Sequence, residues 1–383
     1  MAKTIKKVLL LLLISINIFF QSGCWNYREI DEMAIVGGVA VDKGVNKKYL
    51  ITMEIVELSG GTDTELLTRV ISVEGDSIFD AVRNVISYIG KKAYWSHAKA
   101  VIVSQTIARE GLAKVIDWLS RDTETRENIY LMVSMNETAK EIFEGKPVTS
   151  EVLSFQLEKM LQNQRNLGKA PSEDIREFIN VLSTEGSNPI APVICLKNID
   201  GKKRVEIMGT AIFKEDKLVG FIDDRDTQTL LLIHNEIKGG VIYSDEKVGE
   251  SYVTLEIFKC KTKLKPIIDG DSPVMEININ IEAAIDEIDN IGDVIGEKGR
   301  EELDRHFENL INKRVYELVE EIKTKYDTDV LGFGTKLYRD KPGFWKKIKD
   351  NWEEEFENVK VKVNTKLKII NSAQLAKPLE MED

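Results

Sequence analysis

The chain has 383 residues, 43% of them hydrophobic, and carries a formal net charge of −11 at pH 7. This length predicts two or three domains, and the apolar fraction is large enough to form proper hydrophobic cores. An acidic chain lacks the basic surface that nucleic-acid phosphates require, which argues against nucleic acid as a partner. Three cysteines are too few for a disulfide-stabilised scaffold.

The N-terminus has the layout of a secretory signal peptide. Lys3, Lys6 and Lys7 precede a predominantly apolar run over residues 8–20. This run is shorter than the ~20 apolar residues that a bilayer-spanning helix usually needs. The pattern therefore favours an export signal over a membrane span.

The signal-like segment ends in Gln21-Ser22-Gly23-Cys24, which resembles the lipobox of bacterial lipoproteins. In a lipobox the cysteine thiol receives a diacylglycerol and becomes the new N-terminus, and Gln21 stands where an aliphatic residue is usual. We interpret Cys24 as a lipid-attachment site, with an uncleaved anchor and an ordinary cleaved signal as the alternatives. Of the other two cysteines, Cys195 and Cys260, we expect buried free thiols in preference to a disulfide.

The first half of the mature chain alternates strands with helices. Apolar patterning predicts strands over 34–41, 49–56, 98–104 and 129–134, and helices over 78–89 and 107–119. Ser77 begins the first of these helices in a capping box, and Gly90 ends it. The strand, helix, strand order implies a parallel pair joined by a right-handed crossover, so this half is mixed α/β.

Residues 136–183 have a helical pattern, broken at 168–171, and Ser172 is the predicted cap of the last helix. Residues 188–192 contain two prolines, which is typical of a linker. We therefore place a main boundary near residue 200.

The second half predicts a sheet with one long helix on it. The expected strands are 205–213 and 217–222 as a hairpin, 253–261, 275–284 and 359–369, and the expected helices are 300–326 and 343–356. Lysines alternate with apolar residues in the last strand, a pattern that suits a solvated or edge strand. This half reads as an α+β layer.

The resulting fold class is a multi-domain α/β and α+β protein. It has a mixed-sheet N-terminal part and a C-terminal sheet packed by a long helix. The expected organisation is a signal peptide at 1–23, an N-terminal region at 24–195 that is helical from about 136, a C-terminal domain at 205–372, and a tail at 373–383.

A search for chemistry finds no catalytic pattern. The sequence lacks a zinc-binding helix motif, a serine nucleophile elbow and a phosphate-binding loop. His97, His234 and His306 are far apart in sequence, and Trp345 and Trp352 have the spacing of a helical packing stripe. We therefore predict no enzyme activity, no catalytic residue, no metal site and no cofactor.

Three segments together resemble the Ger(x)C lipoproteins, the C subunits of spore germinant receptors. The first runs from Gly23 through Cys24-Trp25-Asn26-Tyr27-Arg28-Glu29-Ile30 into an apolar strand. The second comprises 209–213 and 217–223, and the third comprises 329–334, Trp345, Trp352 and 358–361. The likeness extends from Cys24 to about residue 372. It implies three α/β domains and supplies no catalytic residues.

The resemblance also implies a place and partners. A member of this family is expected on the outer face of the spore inner membrane, held by lipid beside an A subunit with membrane spans and a transporter-like B subunit. Trp25, Arg28 and Glu29 adjoin the anchor and are our candidates for contact with these partners. A plain linker is the alternative for this segment.

Two other functions compete with a receptor subunit. A solute-binding lipoprotein that delivers a nutrient to a membrane transporter is the alternative, and it would need a deep cleft between two similar lobes. A cortex-degrading hydrolase would need a pair of carboxyl groups ~5–10 Å apart in a groove. Sequence alone does not identify the nutrient or show whether this chain contacts it.

Overall fold

The computed structural model describes residues 3–10, 15, 32–58, 66–122, 124–126, 128–149, 152–244, 246–248, 251–270, 272–288 and 297–371. The proposed lipid site Cys24 and the candidate contact residues Trp25, Arg28 and Glu29 lie outside these ranges. Among the described residues, no helix combines the length and apolarity needed to cross a bilayer.

The first sheet has nine strands and mixed direction. Its strands are β1 Met33–Lys43, β2 Tyr49–Leu58, β3 Leu66–Gly75, β4 Lys92–Tyr94, β5 Ala100–Val103, β6 Tyr130–Ser134, β7 Ile190–Ile199, β8 Lys202–Lys214 and β9 Lys217–Ile222. Their order is β3-β2-β1-β5-β6-β7-β8-β9, with β4 beside β1. The predicted hairpin of β1 and β2 and the predicted parallel pair of β5 and β6 are confirmed.

Helices cover both faces of this sheet. They are α1 Ile78–Asn84, α2 Ile86–Ile89, α3 Gln105–Glu110, α4 Ala113–Arg121, α5 Leu153–Leu167 and α6 Ile175–Leu182. Helices α1, α3, α4 and α6 pack in one apolar cluster with the odd-numbered residues of β5, such as Val101. Helix α5 packs in a separate cluster with the even-numbered residues, such as Ile102. The alternation of side chains along a strand separates these two cores.

In the first half, the helices differ from the sequence prediction in three places. The helix expected over 78–89 is divided at Val85 into α1 and α2. The helix expected over 107–119 is broken between α3 and α4, because Asp216 from the β8–β9 turn binds there. Its carbonyl accepts a hydrogen bond from the Leu112 N–H, and its carboxylate accepts one from the Ala113 N–H at 2.8 Å. The cap of α6 is Asp174, and the prediction of Ser172 was wrong. Asp174 forms a full capping box with Glu177, which satisfies two N–H groups instead of one.

The first sheet continues through the boundary placed near residue 200. The linker predicted at 188–192 is wrong in its second half, because β7 begins at Ile190 and pairs with β6 and β8. Pro189 precedes the strand, and Pro192 lies beside a bulge in the pairing of β7 with β8, a position that tolerates proline. The two-part domain division itself remains a prediction.

The second sheet has four strands in the order β10-β11-β12-β13. They are β10 Val241–Tyr243, β11 Val253–Asp269, β12 Ser272–Ile288 and β13 Lys360–Asn371, accompanied by α7 Asp224–His234, α8 Glu297–Glu321, α9 Phe333–Asp340, α10 Pro342–Ile348 and α11 Trp352–Asn358. A π-helical turn over Ile322–Tyr326 extends α8. The fold class is therefore as predicted, with a long helix on a C-terminal sheet.

Helix α8 packs on the second sheet through residues three or four apart, including Phe307, Ile311 and Val315, all buried. The helix predicted over 343–356 is instead two helices, α10 and α11. A short 3₁₀ turn at Lys349–Asn351 separates them.

Side chains of α8 also seal the outer edge of β13. Four residues at a spacing of four accept hydrogen bonds from alternate N–H groups of the strand, at 3.0–3.2 Å: Tyr316 from Val363, Asn312 from Thr365, Glu308 from Leu367 and Asp304 from Ile369. An open strand edge is a template for aggregation, so this row protects the sheet. Strand β13 is thus an edge strand, as its sequence pattern predicts.

We expect Asn312→Ala to lower the free energy of unfolding by about 1 kcal/mol, because the N–H of the buried Thr365 loses its acceptor. Asn309→Ala is the matched control, since Asn309 is exposed on the same helix and gains the same helix propensity. Urea unfolding measures the stability of both variants. Equal stability would contradict the role of Asn312 in sealing the edge of β13.

Candidate functional site

The three histidines, which are far apart in sequence, also have separate positions in the structure. His97 follows β4, His234 ends α7 with its Nε2 2.8 Å from the Val330 carbonyl oxygen, and His306 lies on α8 with its Nε2 2.7 Å from Ser244 Oγ. Within the described parts of the chain, no group of three or more His, Cys, Asp or Glu side chains could hold a metal ion. Cys195 and Cys260 are free and partly buried.

Trp345 and Trp352 pack against each other as predicted. Their ring centroids are 5.2 Å apart in an edge-on arrangement, and both rings are buried. Two runs of adjacent acidic residues, Asp223-Asp224 and 353–355, also have structural roles. Asp223 is the N-cap of α7, and Glu353 lies in the first turn of α11. Negative charge at these positions complements the helix dipole.

A turn centred on Asp329 joins the second sheet to the first. Asp329 is only 3% exposed, and its carboxylate accepts hydrogen bonds from three backbone N–H groups. Oδ1 accepts from Leu331 at 3.0 Å and Phe333 at 3.2 Å, and Oδ2 accepts from Gly334 at 2.7 Å. Since Phe333 and Gly334 begin α9, the carboxylate satisfies N–H groups that the helix itself leaves unpaired.

Burial raises the pKa of Asp329 to about 6, and hydrogen bonds from the surrounding N–H groups oppose that shift. The carboxylate is therefore ionised at neutral pH, which is the form that accepts all three bonds. Gly332 precedes α9 with φ of +76°, a left-handed conformation that favours glycine.

This turn docks directly on the loop that leads into β7. The Asn188 N–H donates to the Asp329 carbonyl at 2.8 Å, and the Thr335 N–H donates to the Gly186 carbonyl at 3.0 Å. Gly334 lies so close to this loop that a Cβ atom would collide with the Gly186 carbonyl oxygen. From α10, Trp345 Nε1 donates to the Glu185 carboxylate at 2.8 Å.

The long helix makes a second contact with the first sheet. Tyr326, in the π-helical turn, donates its hydroxyl to the Phe221 carbonyl at 2.5 Å. Its ring lies over Gly220 of β9, where a Cβ atom would clash with it. Lys214 of β8 forms ion pairs with Asp327 and Glu353, both at 2.9 Å. The two sheets are therefore held by polar contacts as well as by apolar packing.

A cavity of about 380 Å³ lies beside this junction, between the end of α5, the helix α6 and the segment that follows α7. Two buried side-chain oxygens of its lining, Gln164 Oε1 and Glu173 Oε2, have no hydrogen-bond partner among the residues that the structure describes. Gln164 is only 4% exposed, and its Nε2 donates to the Ile207 carbonyl. Unpaired buried acceptors favour a ligand or water that brings hydrogen-bond donors.

Several carboxylates surround Glu173 in the cavity, whose lining also includes Arg165 and Lys238. Burial raises the pKa of Glu173 well above its ordinary value, and the neighbouring carboxylates of Glu236, Glu177 and Asp174 raise it further. A cation in the cavity would relieve this repulsion, whereas an anion would increase it. Sequence analysis missed this site, because Gln164, Glu173 and Glu236 come from separate segments and match no motif.

Comparison with known proteins places this architecture. Residues 26–196 match the model described as "Spore germination protein N-terminal domain", and residues 208–373 match "Spore germination B3/ GerAC like, C-terminal". This chain belongs to the Ger(x)C family. Its members are germinant receptor C subunits involved in spore germination, so the family resemblance seen in the sequence is confirmed.

Individual relatives of this Ger(x)C chain agree with the two models. Spore germination protein KC of Bacillus subtilis (strain 168) is 26% identical, over 92% of each chain. Spore germination protein B3 of the same organism is 27% identical, over 93% of this chain and 95% of the relative. The crystal structure of the GerBC protein matches with a TM-score of 0.55 at 23% identity, covering 87% of this chain and 97% of that one. This last likeness establishes the fold.

We expect Asp329→Asn to destabilise the protein by about 2–3 kcal/mol at neutral pH, because the amide NH₂ would face an N–H donor and leave it unpaired. Asp350→Asn is the control, since Asp350 is exposed nearby, and its effect should stay within about 0.5 kcal/mol. Urea unfolding followed by tryptophan fluorescence reports the junction through Trp345. Equal stability of both variants would contradict the role given to Asp329.

Proposed function

We propose that this chain is the lipid-anchored C subunit of a nutrient germinant receptor, needed for assembly or signalling of the complex that starts spore germination. The observation that carries the proposal is the match to both family domains in order, over residues 26–196 and 208–373. The signal-like N-terminus and the lipobox-like Gln21-Ser22-Gly23-Cys24 support an anchor on the outer face of the spore inner membrane. Two acyl chains give a stable attachment, because each buried methylene contributes ~0.8 kcal/mol.

The proposed role is that of a scaffold without catalysis. The buried carboxylates of Asp329 and Asp42 are occupied by backbone N–H groups, so they serve the fold instead of a reaction. The partners in this proposal are the A and B membrane subunits of the receptor. We assign contact with them to the segment next to the anchor, at Trp25, Arg28 and Glu29.

The anchor and the receptor role are tested together in a spore-forming bacterium that lacks the endogenous protein. We expect the native chain to carry a diacylglycerol mass on its mature N-terminus and to restore nutrient-triggered germination. Cys24→Ala should lose the lipid mass, the membrane fractionation in high salt and the germination response. Cys195→Ala, which removes a partly buried thiol elsewhere, should retain all three.

Two results would overturn parts of this proposal separately. An unmodified Cys24 in the native protein would remove the anchor and leave the family assignment intact. A normal nutrient response in the strain lacking the protein would remove the receptor role. Co-purification of the A and B subunits with the native chain but not with a Trp25→Ala, Arg28→Ala variant would support the proposed contact segment.

A second candidate function follows from the cavity beside the junction. The alternative of a solute-binding lipoprotein needs a ligand site, and Gln164 Oε1 and Glu173 Oε2 offer unpaired acceptors there. The two sheets differ in strand number and order, which does not fit the two similar lobes expected of a delivery protein. We therefore propose that the cavity of this receptor subunit binds a small cation that donates N–H hydrogen bonds. Binding of this ligand would be the sensing step of the subunit.

We expect the purified full-length chain to bind ethylammonium more tightly than tetramethylammonium or potassium, since only ethylammonium donates hydrogen bonds. At a pH above the raised pKa of Glu173, Glu173→Gln should weaken this binding about tenfold by removing the negative charge, and Glu137→Gln, at an exposed site, should leave it unchanged. Isothermal titration calorimetry measures the affinities. Equal binding of the three cations, or by the two variants, would contradict the assignment.

The same binding should strengthen with pH. The raised pKa of Glu173 keeps it protonated above its ordinary value of 4.5, and only the ionised form attracts a cation. Affinity should therefore increase as the pH rises through this raised pKa. The other charged groups around the cavity are Asp174 and Glu177 on α6, Arg165 on α5, and Glu236 and Lys238 after α7.

A further inference from the structure

The outer face of the second sheet carries a concentrated basic patch, which we call the lysine face. Alternate residues of β11 and β13 point away from α8. The registers of β11, β12 and β13 align these residues in rows that run across the three strands. Eight lysines are exposed in these rows: Lys259, Lys261, Lys263, Lys265, Lys360, Lys362, Lys366 and Lys368.

The central strand does not neutralise this charge. β12 contributes Glu276, Asn278, Asn280 and Glu282 to the same rows. Glu282 pairs with Lys259 and Glu276 pairs with Lys265, both at 3.4 Å, and exposed pairs of this kind are weak. Two carboxylates against eight lysines leave an excess of six positive charges, although the whole chain has a net charge of −11. Such segregation of charge marks an electrostatic contact surface.

The lysine face is bounded at one end, and the strand edge beside it on β13 is closed. Beyond the bulge in β11, the exposed residues Glu256 and Asp286 are acidic, so the patch ends there. The outer edge of β13 is sealed by the row of α8 side chains that includes Asn312. A partner therefore cannot add a strand at the β13 edge, which leaves the face itself as the binding surface on this side of the sheet.

The residue type on this face favours an anionic bilayer over a protein. Lysine is depleted at protein–protein interfaces while arginine is enriched there, because the guanidinium forms planar, bidentate contacts. The positive charges in these rows come from lysine alone. Clusters of ~4–8 basic residues are typical of surfaces that bind anionic lipids, which need point charges and no fixed geometry.

Apolar residues flank the last row of lysines. Phe258, beside Lys259, is 52% exposed, and Ile370, two residues after Lys368, is 46% exposed. On the same face, Lys261, Lys366 and their neighbours line a shallow depression of about 360 Å³. Basic residues with adjacent apolar side chains are the composition of interfacial membrane-binding surfaces.

We propose that the lysine face docks on the phosphate headgroups of an anionic bilayer and holds the second sheet against the membrane. This inference relies on the proposed function for one point only, namely that the chain lies beside a membrane. A lipid anchor and a polybasic surface would then act as two independent attachment signals. The outer face of the sheet, and not only the N-terminus, would fix the orientation of the globular part.

Vesicle co-sedimentation tests this docking. All samples carry Cys24→Ala in the full-length chain, so that no acyl chain contributes and the N-terminal segment is common to every sample. The face variant changes Lys261, Lys263, Lys366 and Lys368 to Gln, which removes exposed lysines that make no ion pair in the described structure. The control variant changes four exposed lysines elsewhere to Gln: Lys91, Lys114, Lys140 and Lys202.

On vesicles of phosphatidylglycerol and phosphatidylcholine, we expect the face variant to partition about 1,000-fold more weakly than the parent, and the control variant to match the parent. Binding should fall with salt and be weak on phosphatidylcholine alone. Circular dichroism and urea unfolding check that both variants are folded.

Equal partition of the parent and the face variant would overturn the inference. If the face variant then also failed to support germination, the lysine face would belong to an acidic protein partner. These vesicle measurements involve no other subunit and no lipid on Cys24. Failure of the docking therefore leaves the receptor proposal standing, and failure of the receptor proposal leaves the docking standing.

Discussion

The burial of one carboxylate at the junction between the sheets is the constraint on which the rest of the structure depends. Asp329 is surrounded by N–H groups of the turn that begins α9, and its own carbonyl accepts from Asn188 of the first sheet's loop. A buried charge is costly unless it is fully hydrogen-bonded, so the turn has one acceptable geometry. That geometry fixes Gly334 against Gly186 and thereby sets the position of the second sheet.

The same junction forms the cavity and brings its carboxylates together. Glu173 precedes α6, which belongs to the first sheet, whereas Glu236 follows α7, which packs with the second. Docking of the sheets brings these carboxylates together, and burial together with their repulsion raises the pKa of Glu173. A site at such a junction is suited to sensing, because a ligand there contacts both parts of the chain.

The second sheet separates its tasks by residue periodicity. Residues of β13 that point inward pack under α8, and those that point outward are mostly lysine. Its edge N–H groups bind the polar row of α8 that includes Glu308 and Asn312. Strand β13 therefore contributes to the core with its inward side chains and presents a charged surface with its outward ones. Its edge N–H groups are separately protected from aggregation.

Local patterns in the sequence determined the elements, because the periods of strands and helices and the capping residues act over a few positions. They located the β1–β2 hairpin, the parallel pair of β5 and β6, the long helix on its sheet, and the packed pair Trp345 and Trp352. The family resemblance singled out residues 329–334 but did not indicate their physical role.

Tertiary structure alone decided the features that depend on distant residues. The first sheet continues through residue 200 because β7 pairs with β6, and the break between α3 and α4 exists because Asp216 binds there, 103 positions along the chain from Ala113. The lysine face needs β11 and β13 on either side of β12, although their lysines are far apart in sequence. Contacts of this kind leave no local pattern, because the charge and hydrogen-bond partners are supplied only when the chain folds back on itself.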